Sequence, residues 1–94
     1  MKEKKLMYVV CYDIVDDRRR NKIANVLKSF GNRVQYSVFE CFLTPTQFQR
    51  LKSRLLPLLE RNDSIMCYKI TPELQKDIER IGQMRYYYEE DDII

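Results

Sequence analysis

The stretch Val9-Val10-Cys11-Tyr12-Asp13-Ile14 decides the fold. It is an apolar, β-prone run closed by a carboxylate and followed at once by Asp16-Asp17-Arg18-Arg19-Arg20. Residues 6–14 read as one strand, with Tyr8, Val10 and Tyr12 on one face and Met7, Val9, Cys11 and Asp13 on the other. Both faces are largely apolar, so both need cover. Helices cover one, and a second copy of the chain is the expected cover for the other. The strand carries Asp13 to its C-terminal end, where loops and helix termini of open sheets present polar groups to ligands.

Downstream, a helix is expected over residues 17–30, with Asp16 as N-cap and Asp17 in the first turn suiting the dipole. Ile23, Val26, Leu27 and Phe30 form its buried stripe, and Gly31 reads as a left-handed C-cap. Arg18, Arg19, Arg20 and Lys22 crowd the N-terminal turns, where cations oppose the dipole. No packing reason for them is visible in the sequence, so the cluster is a functional candidate. Residues 33–43 are β-prone, either one bent strand or two short strands reversing near Ser37 to Glu40, with no Asn-Gly or Asp-Gly turn to decide. Thr44-Pro45-Thr46-Gln47 reads as a capping box with proline at the first helical position. Phe48, Leu51, Leu55 and Leu58 give that helix its stripe, and Pro57 should end or kink it near residue 56.

Residues 64–70 form another strand, with Ile65, Cys67 and Lys69 opposite Met66, Tyr68 and Ile70. Thr71-Pro72-Glu73 repeats the cap-then-proline signal, and Leu74, Ile78 and Ile81 predict a short helix ended by Gly82. Residues 84–88 are β-prone, and Glu89-Glu90-Asp91-Asp92 precedes the terminal isoleucines. The order strand, helix, strand or strands, helix, strand fits an α+β sandwich of the ferredoxin-like βαββαβ kind, one domain over residues 1–94. Residues 84–94 would add a C-terminal strand to this subunit or to a partner's sheet.

The composition is that of a globular protein, 45% hydrophobic and 33% charged. No apolar run approaches the roughly 20 residues that span a bilayer. Met1-Lys2-Glu3-Lys4-Lys5 leads into no apolar signal region, so a cytoplasmic protein is expected. Cys11, Cys41 and Cys67 lie far apart in apolar runs, which predicts reduced core thiols rather than a disulfide framework or zinc site. Residues 1–50 hold ten Lys/Arg against five Asp/Glu (+5), and residues 51–94 seven against nine (−2). Positive charge at the front of the chain suits a polyanion near the first helix, although solubility alone would also account for it.

Histidine is absent, which removes the usual general base and the Ser-His-Asp triad. Two glycines allow no dinucleotide fingerprint, and there is no phosphate-binding P-loop. An enzyme built from this chain works with carboxylates, Arg/Lys, Tyr and a borrowed ion, for which Mg²⁺ on one or two carboxylates is the simplest choice. Asp13 is the natural metal ligand or water-positioning group, weighed against an ordinary strand-end polar residue. Arg20, Lys22 and Arg33 are candidates to hold phosphates, against solvated surface charge. Tyr12 and Phe39 are candidates to stack on bases, against core packing. Tyr86-Tyr87-Tyr88 suggests packing or a subunit contact, because alternation sends Tyr87 opposite to its neighbours.

Tyr12-Asp13-Ile14, Asp16-Asp17 with Arg20, and Gly31-x-Arg33-Val34-Gln35-Tyr36-Ser37-Val38-Phe39-Glu40 together resemble the Cas-two family, small CRISPR-associated proteins of the spacer-acquisition machinery. The likeness covers residues 6–43 well, residues 44–70 in pattern, and residues 71–94 loosely. It implies a ferredoxin-like homodimer whose sheets pack face to face, and the Mg²⁺-dependent cleavage of RNA or DNA reported for some members. The family's strand-end aspartate falls on Asp13, and two copies could share one Mg²⁺ across the interface. Its other site residues fall on Tyr12, Arg20, Arg33 and Phe39, with Lys22 where some members have a second helix arginine. Lysine there keeps the charge but loses the planar fork. The resemblance also implies a rival role, a non-catalytic scaffold that binds duplex DNA and bridges the CRISPR integrase. A third class, an RNA-binding or toxin-like nuclease on the same fold, stays open, because fold does not fix function.

Overall fold

The computed structural model describes residues 3–84. Residues 6–13 alternate in burial as their sequence alternates in polarity, and they form strand β1 (Leu6–Asp13). Helix α1 (Asp17–Lys28) follows, then β2 (Asn32–Gln35), β3 (Val38–Leu43), α2 (Pro45–Leu55), β4 (Ser64–Ile70) and a single helical turn, α3 (Pro72–Gln75). The strands lie in the order β2-β3-β1-β4, and every neighbouring pair is antiparallel. This is the ferredoxin-like α+β sheet. The C-terminal strand expected beyond residue 84, the Tyr86-Tyr87-Tyr88 run and the acidic segment lie outside the described residues.

Tyr8, Val10 and Tyr12 of β1 face the helices and join Ile23, Leu27, Phe39, Leu51 and Leu55 in one core. Tyr8 stacks on Phe48 of α2 with ring centroids 4.0 Å apart. The ladder places Val9 and Cys11 on the opposite face, beside Tyr68 and Met66 of β4 and Glu40 and Val38 of β3. This face is only partly covered. α3 packs against β1 and β4, and Arg80 reaches Glu40 at 2.8 Å, yet Phe42, Met66 and Tyr68 stay about half exposed.

The α2 signals hold in detail. The Thr44 hydroxyl accepts from Gln47 N–H, and the Gln47 side chain accepts from Thr44 N–H. The α-helix stops at Leu55 and continues as a 3₁₀ turn over Leu56–Leu58 around Pro57. Residues 33–43 resolve into two strands, with Tyr36 and Ser37 making the reversal just ahead of the expected place. A register shift between Arg33 and Gln35 inserts one extra residue, Val34, and sharpens the twist beside the turn.

Three expectations are corrected. α1 ends at Lys28 with Ser29 as C-cap, Ser29 and Phe30 N–H making 3₁₀-type bonds to the Val26 and Leu27 carbonyls and Gly31 N–H also donating to the Leu27 carbonyl, and Gly31 is not left-handed. Glycine is needed there because a Cβ would lie less than 3.0 Å from Glu40 O and from Cys41 Sγ and Cα. The helix predicted to run to Gly82 is one turn only, and Ile81 is 84% exposed, so the stripe of Leu74, Ile78 and Ile81 finds no common apolar surface to pack on. Of the three thiols only Cys41 is a core thiol. Burial pushes it up to about 12, whereas Cys67 is exposed on the edge strand β4 and Cys11 is half-buried.

Candidate active site

β1 ends at Asp13, which pairs in the ladder with Ser64 of β4 and shares the open face with Cys11 and Val9. Its side chain is exposed and takes no hydrogen bond or ion pair among the described residues. The chain then turns through Ile14 and Val15 into α1, where Asp16 caps the helix by accepting from Arg19 N–H at 2.9 Å. That bond holds the Asp16 carboxyl below the usual carboxylate range.

The loop after Asp13 is fixed from two sides. From above, the Arg20 Nη2 donates to the Ile14 carbonyl at 2.8 Å, while Nη1 pairs with Asp17. The bond to Asp17 raises the Arg20 pKa, and the Tyr36 hydroxyl contributes in the same sense. From the side, Asp63 accepts from Val15 N–H and Glu60 N–H, each at 3.0 Å, and forks with the Arg19 guanidinium at 3.0 and 3.2 Å. The Asp63 side chain is fully covered, and its bond from Val15 N–H holds it below the usual carboxylate range. Asn62, at φ 74°, provides the left-handed turn that aims it inward.

These contacts revise the expectation that the basic cluster lacks a packing reason. Arg19 and Arg20 hold the loop that follows Asp13. Arg18 and Lys22 are exposed on the outer face of α1. Arg33 lies over the Phe39 ring, its guanidinium carbon 5.4 Å from the centroid.

Tyr12 and Phe39 face inward. Phe39 is completely buried and Tyr12 nearly so, with ring centroids 6.2 Å apart, so neither offers a face to a base and the stacking expectation gives way to core packing. The Tyr12 hydroxyl donates to the Tyr36 carbonyl at 3.3 Å, and Tyr12 N–H donates to the Ser37 carbonyl at 3.1 Å. Burial raises the Tyr12 pKa despite the Arg33 charge nearby. Tyr12 therefore ties the β2–β3 turn to the end of β1. Two residues that sequence reasoning passed over take part. Tyr36 is an exposed aromatic at the turn beside Arg20. Asp63 had a local signal in Asn62-Asp63, but its partners lie 44 and 48 residues away.

Asp63→Asn removes the charge that pairs with Arg19, and we expect the unfolding midpoint at pH 7 to fall by about 5 °C or more. The native Asp63 carboxyl binds its proton less tightly than in the unfolded chain, where it titrates near about 3.9. Its contribution is present above that pH and is lost as acid carries the pH down through the native value. Thermal melts of both proteins across this range should converge in acid. A gap that persists unchanged below pH 3 would contradict the assignment.

Among the described residues no group of three or more His, Cys, Asp or Glu is placed to hold a metal. One chain offers Asp13 as a single hard oxygen donor, which fits Mg²⁺ only where waters, phosphate oxygens or a second carboxylate complete the shell. No helix among the described residues is long and apolar enough to cross a membrane.

These features define a small ferredoxin-like protein with a solvent-facing acid at a strand end, set beside a loop held by guanidinium groups. The chain belongs to the family of CRISPR associated protein Cas2, whose model matches residues 6–80. It is 41% identical over 78 residues to a CRISPR-associated endoribonuclease Cas2 of Synechocystis, covering 82% of this chain and 85% of that one. A CRISPR-associated endonuclease Cas2 of Thermus thermophilus is 44% identical over 76% of this chain and 80% of its own. The crystal structure of Streptococcus pyogenes Cas2 matches with a TM-score of 0.72 and 34% identity over 81% of this chain and 99% of that one. A chain from a partial Cas6-RT-Cas1–Cas2 complex matches with a TM-score of 0.70 and 30% identity, covering 81% and 90%.

Proposed function

We propose that this chain acts in CRISPR spacer acquisition as a homodimeric, Mg²⁺-dependent endonuclease that hydrolyses phosphodiester bonds of RNA or DNA through Asp13. The observation that carries this reading is the placement of Asp13. It is an exposed carboxylate at the end of β1, on the half-exposed apolar face of the sheet, next to a loop braced by Arg19 and Arg20. Relatives named endoribonuclease and endonuclease support the reaction class.

Two copies meeting through Val9, Cys11, Met66 and Tyr68 would bury that face and bring their strand ends together. Two Asp13 carboxylates then supply the second donor that one chain lacks. The chemistry of a Mg²⁺ bound there is activation of a water and the offsetting of charge at the scissile phosphate. Asp13 holds and orients that water. Arg20 keeps the Ile14–Val15 backbone in place, so the acid does not drift with its loop. In this reading Lys22 and Arg33 would contact the phosphates on either side. Lys22 does so as a point charge.

The second reading is the scaffold. It is favoured by the match to a chain of a Cas1–Cas2 complex, and in it the dimer binds duplex DNA and the integrase with Asp13 idle. Cleavage of labelled RNA and of duplex DNA, in Mg²⁺ and in EDTA, separates the two. The nuclease reading predicts product that forms only with the metal. Salt-sensitive duplex binding with no product under either condition leaves the scaffold. Sedimentation of the purified protein should give twice the chain mass, and a monomer at micromolar concentration would remove the shared site.

A further inference from the structure

At the start of α1 two of the three arginines are committed to protein groups, Arg19 to Asp63 and Glu60, and Arg20 to Asp17 and the Ile14 carbonyl. A second group of cations is not. At the other end of β1 from Asp13, a cleft of about 390 Å³ lies between Lys5, the C-terminal end of α1 at Ser29 and Phe30, and Gln47, Arg50 and Arg54 of α2. Its lining contains three cations and no carboxylate. None of the three is in a salt bridge among the described residues. The Arg54 guanidinium carbon stands 5.6 Å from the centroid of the Phe30 ring, a contact that holds the fork at the cleft wall.

Arg50 and Arg54 are four residues apart on one helix, where like charges repel and cost stability. Lys5 adds a third positive charge to the same cleft. Concave walls of one sign focus the field and attract a polyanion. The outer face of α1 connects the two ends, with Arg18, Lys22 and Lys28 exposed along it.

We propose that the Lys5–Arg50–Arg54 cleft is a second phosphate-backbone site, engaged by the same nucleic acid that lies against the Asp13 end of β1. The 12 residues of α1 span about 18 Å between the ends. At 3.4 Å per base pair, a duplex of roughly six pairs is the shortest that reaches both. Guanidinium forks suit phosphate oxygens, and the one amide in the lining, Gln47, already accepts from Thr44 N–H in the capping box, so contact there is with the backbone and independent of sequence. The inference rests on the reading that this chain binds nucleic acid, and it does not require cleavage.

The test is fluorescence anisotropy in EDTA with labelled single-stranded RNA, single-stranded DNA and duplex DNA, graded from about 4 to 20 nucleotides or pairs. Full-length wild type is compared with Arg50→Ala/Arg54→Ala, with Arg50→Lys/Arg54→Lys, and with Arg61→Ala/Lys76→Ala, which removes equal charge elsewhere. Wild-type affinity should step up once the duplex passes roughly six pairs. The cleft variant should lose that step, bind the longer duplexes about 10-fold more weakly, and show a salt slope smaller by about 2. The lysine pair should recover most of the slope, and the control pair should behave as wild type. Equal affinity and slope for wild type and the cleft variant would overturn the cleft while leaving nucleic-acid binding in place. Equal losses in the cleft and control variants would reduce the effect to net charge and overturn it too. No binding by wild type at low salt would overturn the inference together with the reading beneath it.

Discussion

Asp13→Asn should lower the rate of phosphodiester cleavage at least about 100-fold and leave the fold intact. Asp13 is exposed at the last position of β1 and its side chain has no partner among the described residues, so the amide disturbs no ladder bond and no packing. What it removes is negative charge, the property that holds a divalent cation and orients a water. The loss should therefore appear in kcat, with KM little changed, because the phosphate contacts proposed for Lys22 and Arg33 would be made in the ground state as well. Circular dichroism and the thermal midpoint of the variant should match wild type. A variant that cleaves at the wild-type rate would remove Asp13 from the chemistry.

Phe39→Ala should cost about 3–5 kcal/mol, enough to unfold much of a small domain at ambient temperature. Phe39 is completely buried in the central strand β3, directly across from Val10, with Tyr12 and Arg33 against it. Truncation leaves a cavity bounded by β1, which cannot move inward without breaking its pairing with both neighbours. At about 4–8 °C per kcal/mol for a domain of this size, the midpoint falls by more than about 12 °C. Phe39→Leu keeps most of the volume and should cost about 1.5 kcal/mol or less. A folded Phe39→Leu should bind oligonucleotides as wild type does. If Phe39→Ala melted at the wild-type temperature and lost nucleic-acid binding instead, the ring would be a base platform and the core assignment would fail.

The contrast between these residues indicates how much was legible in the sequence. The two-faced β1, the capping box at Thr44, the break at Pro57 and the bounds of β4 rest on periodicity or on residues within one turn, and the structure has them as read. The ferredoxin-like order follows from those elements. The role of Gly31 was not legible, because it depends on how closely β3 approaches rather than on its own dihedral. The Asp63 clamp was not legible because its partners are distant in sequence and adjacent only after β4 docks beside β1. The helix expected after Thr71 had a plausible stripe but no surface to bury it on. Asp13 was singled out from its position at a strand end, and the structure has it there and exposed. The arginines beside it were found as charges, but their bonds to Asp63 and to the Ile14 carbonyl are tertiary facts. Tyr12 and Phe39 carry the family's pattern, yet strand alternation already set Tyr12 on one face with Tyr8 and Val10, the face that the structure packs against the helices.

The central claim is that two copies of Asp13 act together. Wild type mixed with an equal amount of Asp13→Asn, and allowed to exchange subunits, tests it most directly. If both carboxylates are required, only wild-type homodimers cleave, and activity at fixed total protein falls to about one quarter of pure wild type. Activity at about one half would mean that each Asp13 works alone, and the shared site would be contradicted.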